Sequence, residues 1–286
     1  MFISLFPALI NSFFAPQLLP EQFEPYSEIS ISVAPIKKDS EIMPILRSKS
    51  ALAIDLDSHE ILFKKNINEK LAFASLVKLM VAIIILEEND LNEVITIKEN
   101  LSSIEGSKVW LNQGEKFTFE ELLYLLLIPS GNDAAVALAQ ANSGSANVFI
   151  EKMNKKARFL GLNDTIFTNP IGLDDGLQKS TAKDLANLSL YVLENPVIRK
   201  IVKLDKVSVM SESGIIRNVE NTNKLLHSYL DVQGLKTGTT DDAGQCFISL
   251  AKNKDGHEIL AVVLSSDDRF QDAKVLIDWV WRTYEW

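Results

Sequence analysis

The chain has 286 residues, of which 47% are hydrophobic and 23% are charged, so it can build one large core or two lobes that share a core. Its net charge is −9 and its Lys and Arg residues form no cluster, which argues against binding to nucleic acid. Its one cysteine, Cys246, cannot form an internal disulfide and is expected in the core. No pair of histidines has metal-ligand spacing, so we expect neither a metal nor another cofactor.

The first 20 residues contain no charged side chain and are strongly apolar from residue 2 to residue 15. This composition is typical of a signal peptide, although the early Lys or Arg of such a signal is absent. An uncleaved membrane anchor is the alternative, but Pro7 and Pro16 interrupt a regular helix. Residues 21–47 are rich in proline and are predicted to form an extended linker. We therefore predict a folded domain over residues 48–286.

The first motif is Ser75-Leu-Val-Lys78, which follows a hairpin predicted over residues 51–63. Residues 76–88 are apolar apart from Lys78, so a helix that begins near Ser75 would be buried nearly all round. Residues three apart share a helix face, which would bring the Lys78 amine close to the Ser75 hydroxyl. A buried lysine has a lowered pKa and can act as the base that a nucleophilic serine needs. The alternative is an N-capping serine followed by an ordinary core lysine.

The second motif, Ser130-Gly131-Asn132, lies between two predicted helices. Thr118 and Glu121 form a capping box that begins the first helix, and Pro129 ends it. The motif therefore falls in a tight connection before the second helix, over residues 133–140. A turn rich in turn-forming residues is the plain interpretation. The functional one is that a rigid loop between buried helices aims a hydroxyl and a carboxamide at a cleft.

The third motif, Lys236-Thr237-Gly238, lies in the first of three predicted strands, over residues 232–240, 245–251 and 257–265. Their short connections predict antiparallel pairing. An edge strand with this motif can pair with an extended peptide, neutralise a carboxylate and allow close approach at the glycine. An edge protected by lysine, with glycine at a bulge, is the alternative.

The order of the elements predicts an α+β fold. A mostly helical middle, from residue 75 to about residue 204, separates the N-terminal hairpin from the C-terminal strands, and a last helix is predicted over residues 268–284. Terminal strands around a helical insertion predict an antiparallel sheet flanked by helices, together with an all-helical lobe. The three motifs would then meet in the cleft between the two lobes, where pockets commonly form.

Taken together, the three motifs and their order resemble those of the penicillin-interacting serine peptidases. The flanking segments extend the resemblance to the low-molecular-mass D-alanyl-D-alanine carboxypeptidases, from about Ser48 to the C-terminus. These segments include residues 51–63, 129–135, 168–173 and 221–226. The resemblance implies a β-lactamase/transpeptidase-like fold and a serine DD-peptidase catalytic domain over residues 48–286.

The resemblance also implies roles for two groups of residues in the cleft. The catalytic group would form the acyl-enzyme and move protons: Ser75 as nucleophile, Lys78 as its activator and Ser130 as the donor to the leaving amine. The substrate-binding group would hold the substrate amide and its terminal carboxylate: Asn132, Lys236, Thr237, Gly238 and Thr239. The backbone N–H groups of Ser75 and Thr239 would form the oxyanion hole.

The implied reaction removes the terminal D-alanine from a peptidoglycan stem peptide through an acyl-enzyme on Ser75, and β-lactams would acylate the same serine. This substrate lies outside the cytoplasmic membrane, so we expect a bacterial periplasmic or cell-envelope protein, secreted or attached to the membrane through residues 1–20. Some family members bind the carboxylate with a basic residue where this chain has Thr222. Arg217 and Lys236 are the candidates to supply that charge here, unless recognition is looser.

Three alternatives are open at this point. A class A-like β-lactamase needs a glutamate to activate the deacylating water, and residues 165–170, in the loop where it is expected, contain none. We therefore expect slow release of β-lactams. A DD-endopeptidase that acts on peptidoglycan cross-links would use the same residues. A non-catalytic wall-binding module is the most distant alternative, and the intact Ser75, Lys78 and Lys236 argue against it.

Overall fold

The computed structural model describes residues 33–38 and 42–286. The signal or anchor predicted over residues 1–20 lies outside these residues, as does part of the predicted linker. A 3₁₀ turn at Ala74–Val77 precedes the first helix. The helices of the described part are α1 Lys78–Glu88, α2 Phe119–Leu127, α3 Asn132–Ser143, α4 Ala146–Phe159, α5 Ala182–Leu193, α6 Pro196–Val202 and α7 Arg269–Thr283. The strands are β1 Ile36–Lys37, β2 Ser50–Asp55, β3 Ile61–Lys65, β4 Val94–Thr96, β5 Lys116–Thr118, β6 Lys206–Met210, β7 Ile216–Glu220, β8 Val232–Thr240, β9 Gly244–Lys252, β10 Glu258–Ser266 and β11 Tyr284–Glu285.

The main sheet has five antiparallel strands in the order β3-β2-β10-β9-β8. The N-terminal hairpin β2–β3 therefore pairs with the last of the C-terminal strands, so the sheet joins the two ends of the domain. Strand β8, which carries Lys236-Thr237-Gly238, lies at an edge as predicted. An edge position leaves one side of its backbone available to a peptide.

Two hydrophobic clusters pack against opposite faces of this sheet. In β2, Leu52 and Ile54 point to the helical lobe, whereas Ala51 and Ala53 point to α7. This alternation is the two-residue period that a strand buried on both faces requires. The architecture is the predicted α+β fold, with an antiparallel sheet, flanking helices and a helical lobe.

Helix α1 is the centre of the helical lobe, and its residues from Lys78 to Ile85 are all buried. The α-helix begins at Lys78, three residues later than Ser75, because Ala74–Val77 form a 3₁₀ turn. Ala74 has a positive φ of 48° at the start of this turn. Such a tighter turn at a helix end changes the direction of the chain just where Ser75 must face the cleft.

The connections in the helical middle are more varied than the sequence predicts. The two-stranded ribbon β4–β5 lies within this region and was not predicted. A second ribbon, β6–β7, follows the helical middle. Thr118 caps α2 through the predicted capping box with Glu121. Among the described residues, no helix is both long and apolar enough to cross a lipid bilayer.

The described part of the predicted linker lies against the last helix. Strand β1 pairs with β11 directly after α7. Further along, the Asp272 carboxylate accepts hydrogen bonds from the backbone N–H groups of Arg47 and Ser48, at 3.0 and 2.7 Å. Leu46 is buried in the cluster beneath α7.

Candidate active site

The three motifs meet at a cleft of about 200 Å³ between the helical lobe and strand β8. Its lining includes most of the predicted site residues, namely Ser75, Ser130, Asn132, Thr237, Gly238 and Thr239. Lys78 and Lys236 lie directly behind this lining and are fully buried. A larger groove, of about 760 Å³, lies near residues 229–231 and 281–286, and none of the motif residues line it.

The Lys78 amine lies at the centre of the site. Its Nζ is 2.8 Å from Ser75 Oγ, 2.7 Å from Asn132 Oδ1 and 3.0 Å from the carbonyl oxygen of Ile171. Burial lowers the pKa of Lys78 well below its ordinary value, and the nearby Lys236 lowers it further. The pKa shift therefore favours a neutral amine, which can accept the proton of Ser75.

A loop in contact with Ser75 supplies the Ile171 carbonyl. The side-chain oxygen of Asn169 accepts hydrogen bonds from three successive backbone N–H groups, those of residues 171–173. Gly172 has a φ of 88°, and a Cβ there would lie 2.8 Å from the Ser75 nitrogen. Only glycine can therefore occupy this position without displacing the nucleophile. Ile171 acts through its backbone, so nothing in its side chain could have identified it.

Ser130 and Asn132 are presented by the short connection between α2 and α3. Asn132 is the first residue of α3, and its carboxamide is held at both ends: Oδ1 accepts from Lys78, and Nδ2 donates to the Glu105 carbonyl at 2.7 Å. Ser130 has a positive φ of 64°, a conformation that costs energy for a residue with a side chain. Its Oγ accepts a hydrogen bond from Lys236 Nζ at 2.9 Å.

Lys236 joins the edge strand to this connection. Besides Ser130, its amine donates to the Thr237 carbonyl at 2.9 Å. Burial lowers the pKa of Lys236 to about 7, and the positive charge of Arg269 contributes to the shift. Each of the two serines, Ser75 and Ser130, is thus hydrogen-bonded to a buried amine with a lowered pKa. This arrangement can move protons near neutral pH without a histidine.

The comparisons with known proteins agree with this geometry. The family model of peptidase S11, described as D-alanyl-D-alanine carboxypeptidase, matches residues 37–268. The chain belongs to this family. The D-alanyl-D-alanine carboxypeptidases DacF of Bacillus subtilis and DacC of Escherichia coli are 35% and 31% identical to it, over 87% and 85% of the chain. The chain spans only 65% and 63% of the length of these two relatives.

A solved structure extends the agreement to the fold. The DD-transpeptidase of Streptomyces K15 superposes with a TM-score of 0.79 at 28% identity, covering 85% of this chain and all of that chain. The β-lactamase/transpeptidase-like fold implied by the resemblance is thereby confirmed, together with membership of the peptidase S11 family.

One residue considered for carboxylate binding does not reach the cleft of this family member. Arg217 forms a buried ion pair with Glu115, with Nη1 and Nη2 donating at 3.0 and 2.6 Å. Its Nε and Nη2 also donate to the carbonyls of Val109 and Trp110. The guanidinium is therefore fully engaged, and Arg217 is absent from the residues that line the cleft. The suggestion that Arg217 supplies the missing charge is wrong.

Arg269 is the cleft residue that the sequence did not reveal. It is the first residue of α7, and its Nη1 donates to the Gly238 carbonyl at 2.7 Å and also contacts Thr239 Oγ1. A cation in the first turn of a helix opposes the helix dipole. Because the sequence predicts a helix from residue 268, this unfavourable placement was the signal that could have singled out Arg269. Nearby, Thr222 Oγ1 lies 2.6 Å from Thr237 Oγ1.

The cysteine and the histidines take no part in the cleft. Cys246 is buried, and burial raises the pKa of its thiol to about 11. None of the three histidines lines the cleft. Within residues 33–38 and 42–286, no group of three or more His, Cys, Asp or Glu side chains is arranged to hold a metal ion.

Proposed function

We propose that the chain is a serine-type D-alanyl-D-alanine carboxypeptidase that removes the terminal D-alanine from peptidoglycan stem peptides. The observation that carries this proposal is the 2.8 Å contact between Ser75 Oγ and the fully buried Lys78 amine. Membership of the peptidase S11 family and the similarity to the D-alanyl-D-alanine carboxypeptidases DacF and DacC support it.

In the proposed acylation step, neutral Lys78 accepts the proton of Ser75 as Oγ attacks the carbonyl carbon of the penultimate residue. The backbone N–H groups of Ser75 and Thr239 stabilise the oxyanion, an effect of about 10² to 10³ in rate for each donor. The amide C–N bond then breaks as Ser130 gives its proton to the leaving D-alanine amine, and the proton that Lys78 took from Ser75 restores the Ser130 hydroxyl. The Lys236 cation stabilises the ionised form of this hydroxyl during the transfer. Asn132 holds both the Lys78 amine and the amide of the substrate.

Arg269 is proposed to supply the cation that binds the terminal carboxylate. It contacts Thr239 on the edge strand, and the Thr237 and Thr239 hydroxyls are the neighbouring donors. This role explains how the chain can have Thr222 where some family members have a basic residue. A guanidinium suits a carboxylate because its planar donors match the two oxygens.

Hydrolysis of the acyl-enzyme requires a water molecule, and this step separates the proposal from a β-lactamase. None of the described residues that line the cleft is an aspartate or a glutamate. Within the part of the chain that the structure describes, Lys78 is then the one basic side chain in contact with Ser75 Oγ. We therefore propose that β-lactams are bound as slowly released inhibitors.

A DD-endopeptidase is the second candidate. A D-alanyl-D-alanine endopeptidase of Pseudomonas aeruginosa is 31% identical over 77% of the chain, and the chain covers 74% of its length. The same machinery would cleave a cross-link when the leaving group is a second stem peptide. The ratio of D-alanine release from a pentapeptide to cleavage of a cross-linked dimer distinguishes the two activities.

The place of action follows from the substrate. We propose that residues 48–286 form the catalytic domain and that it acts outside the bacterial cytoplasmic membrane, in the periplasm or cell envelope. In this proposal, residues 1–20 direct export or attach the protein to the membrane.

Intact-mass analysis after incubation with penicillin tests the proposal, in parallel with D-alanine release from a stem pentapeptide. The parent chain should gain the mass of one penicillin and release D-alanine, whereas Ser75→Ala should do neither. An adduct on the Ser75→Ala variant, or a parent chain inert in both assays, contradicts the proposal.

A further inference from the structure

Asp133 is a buried carboxylate next to the site that the mechanism above does not use. It is the second residue of α3, and its side chain is 1% exposed. It accepts hydrogen bonds from the backbone N–H groups of Val109, through both oxygens at 3.1 Å, of Leu111 at 3.0 Å and of Ala134 at 3.0 Å. Two of these three donors belong to a different segment of the chain, so the carboxylate does more than cap its own helix.

That segment, residues 105–111, forms a roof loop over Asn132. The Glu105 carbonyl accepts from Asn132 Nδ2, and the Ser107 carbonyl accepts from Asn132 N, both at 2.7 Å. A Cβ on Gly106 would lie 2.7 Å from Asn132 Nδ2. The loop therefore fixes the carboxamide that contacts Lys78, and Asp133 fixes the loop.

The far end of the roof loop is held in a strained conformation. Trp110 has a φ of 60° although its side chain is 64% exposed, so its packing does not compensate for the strain. Asp133 binds the N–H groups on either side of it, and Arg217 binds the carbonyls of Val109 and Trp110. The neighbouring elements hold this backbone in place from two directions.

Asp133 also matters for charge. The Lys78 amine contacts Ser75 Oγ on the preceding turn, Asn132 Oδ1 on α3 and the Ile171 carbonyl on its loop. Asp133, the residue after Asn132, and Lys236 on β8 act on it through their charges. Asp133 is the one carboxylate in this set of described residues. Its negative charge opposes the effects of burial and of Lys236 and raises the pKa of Lys78.

We propose that Asp133 is a positioning residue for acylation, which holds the roof loop on Asn132 and places a negative charge one residue from Asn132, the partner of the Lys78 amine. This inference rests on the proposed function, because it assumes that Lys78 activates Ser75. The alternative is a purely structural carboxylate at a helix N-terminus.

Asp133→Asn separates the two accounts. Oδ2 accepts from Val109 and Leu111, and Oδ1 accepts from Val109 and Ala134. An amide has one acceptor oxygen, so its NH₂ group would face N–H donors on one side. The roof loop should therefore loosen, and acylation by fluorescent penicillin should slow by about 10- to 100-fold. Acylation requires neutral Lys78, so its rate rises with pH through the pKa of this amine. Removing the negative charge lowers that pKa. The acid limb of the rate profile should therefore move to lower pH.

Asp184→Asn is the matched control. Asp184 is also a buried carboxylate in the first turn of a helix, α5, and it accepts from Asp164 N at 2.9 Å and Thr165 Oγ1 at 2.8 Å. It does not line the cleft. Its variant should lose stability but keep the acylation rate and the acid limb of the parent.

Asp133→Glu provides a second variant that keeps the charge and displaces the carboxylate. It should slow acylation. The pH at which its acylation rate rises should lie closer to the parent's value than that of Asp133→Asn does. The inference is overturned if folded Asp133→Asn keeps the parent's acid limb or shifts it to higher pH. If Asp133→Asn does not fold, a parental acylation rate in Asp133→Glu overturns it. A parent chain that penicillin does not acylate would overturn the proposed function, and this inference with it.

Discussion

Gly238 on β8 lies so close to Ser75 that a Cβ at this position would be 2.9 Å from the Ser75 nitrogen. The same Cβ would lie 2.9 Å from Ala74 Cβ and 3.2 Å from the Phe73 carbonyl oxygen. These neighbours are backbone atoms or a Cβ, so no flexible side chain can move aside. The close approach brings Thr239, the next residue, to the nucleophile, and with it the second proposed oxyanion donor.

We predict that Gly238→Ala folds but acylates slowly. The added methyl group must push β8 away from Ser75, which widens the space between the two proposed oxyanion donors. Loss of one such donor costs about 10² to 10³ in rate. The second-order rate constant for penicillin acylation measures the effect.

Cys246→Ala is the control for this experiment. Cys246 pairs with Gly238 across the β8–β9 ladder and is buried, so its truncation disturbs the same part of the sheet. It should lower the thermal stability and leave the acylation rate close to that of the parent. Equal rates for Gly238→Ala and the parent would show that the close approach is not needed for acylation.

Arg269→Gln should weaken recognition of substrates with a free C-terminal carboxylate. A hydrogen bond to a charged group contributes about 1.5 to 3 kcal/mol, so kcat/KM on a D-alanyl-D-alanine peptide should fall about 10- to 100-fold. Arg269→Lys should recover only part of this loss, because an ammonium cannot bind both oxygens in the same way.

A C-terminally amidated peptide supplies the control for Arg269. It lacks the carboxylate, so the parent and Arg269→Gln should cleave it at similar rates. An equal loss on both substrates would instead mean that Arg269 maintains the shape of β8 through its bond to the Gly238 carbonyl.

The sequence predicted those parts of the site that depend on short-range patterns. The spacing of Ser75 and Lys78, the capping box at Thr118 and the strand that bears Lys236 each follow from local periodicity or turn chemistry. The α+β class followed from the order of helices and strands, and the family resemblance was confirmed.

The parts that were missed depend on long-range contacts. Arg269 reaches the cleft because α7 begins where β10 ends, beside Gly238 and Thr239. Arg217 was misjudged because its partner, Glu115, lies 102 residues away in the chain. No local pattern encodes either contact. Ile171 could not be predicted either, because it takes part through its backbone carbonyl and not through its side chain.

The buried amine of Lys236 should make stability depend on pH. Burial lowers its pKa to about 7 in the folded state, whereas an unfolded lysine titrates near about 10.4. Between these values the unfolded chain binds more protons, so the free energy of unfolding should rise with pH, by up to about 1.4 kcal/mol per pH unit. Lys78 should add to this rise, because its pKa is lowered in the same direction.

Urea unfolding of Lys236→Met at neutral and alkaline pH tests this dependence. The variant should show a smaller rise than the parent, because it lacks one of the two buried amines. Lys156→Met is the control. Burial of Lys156 is outweighed by its hydrogen bonds to Glu87 and Tyr191, which raise the pKa of Lys156, so the alkaline rise should persist in that variant. An identical rise in Lys236→Met and the parent would mean that Lys236 is protonated in the folded state throughout.

The penicillin adduct on Ser75 should be long-lived. Positioned general bases typically contribute about 10² to 10⁴ in rate, and the described cleft offers the deacylating water no carboxylate. After removal of free penicillin, intact-mass spectra should show the adduct decaying far more slowly than the peptide acyl-enzyme turns over. The difference arises because a β-lactam's leaving amine stays tethered to the acyl group and remains in the cleft, whereas free D-alanine departs and makes room for water. Rapid steady-state hydrolysis of penicillin would contradict this account and would favour the β-lactamase alternative.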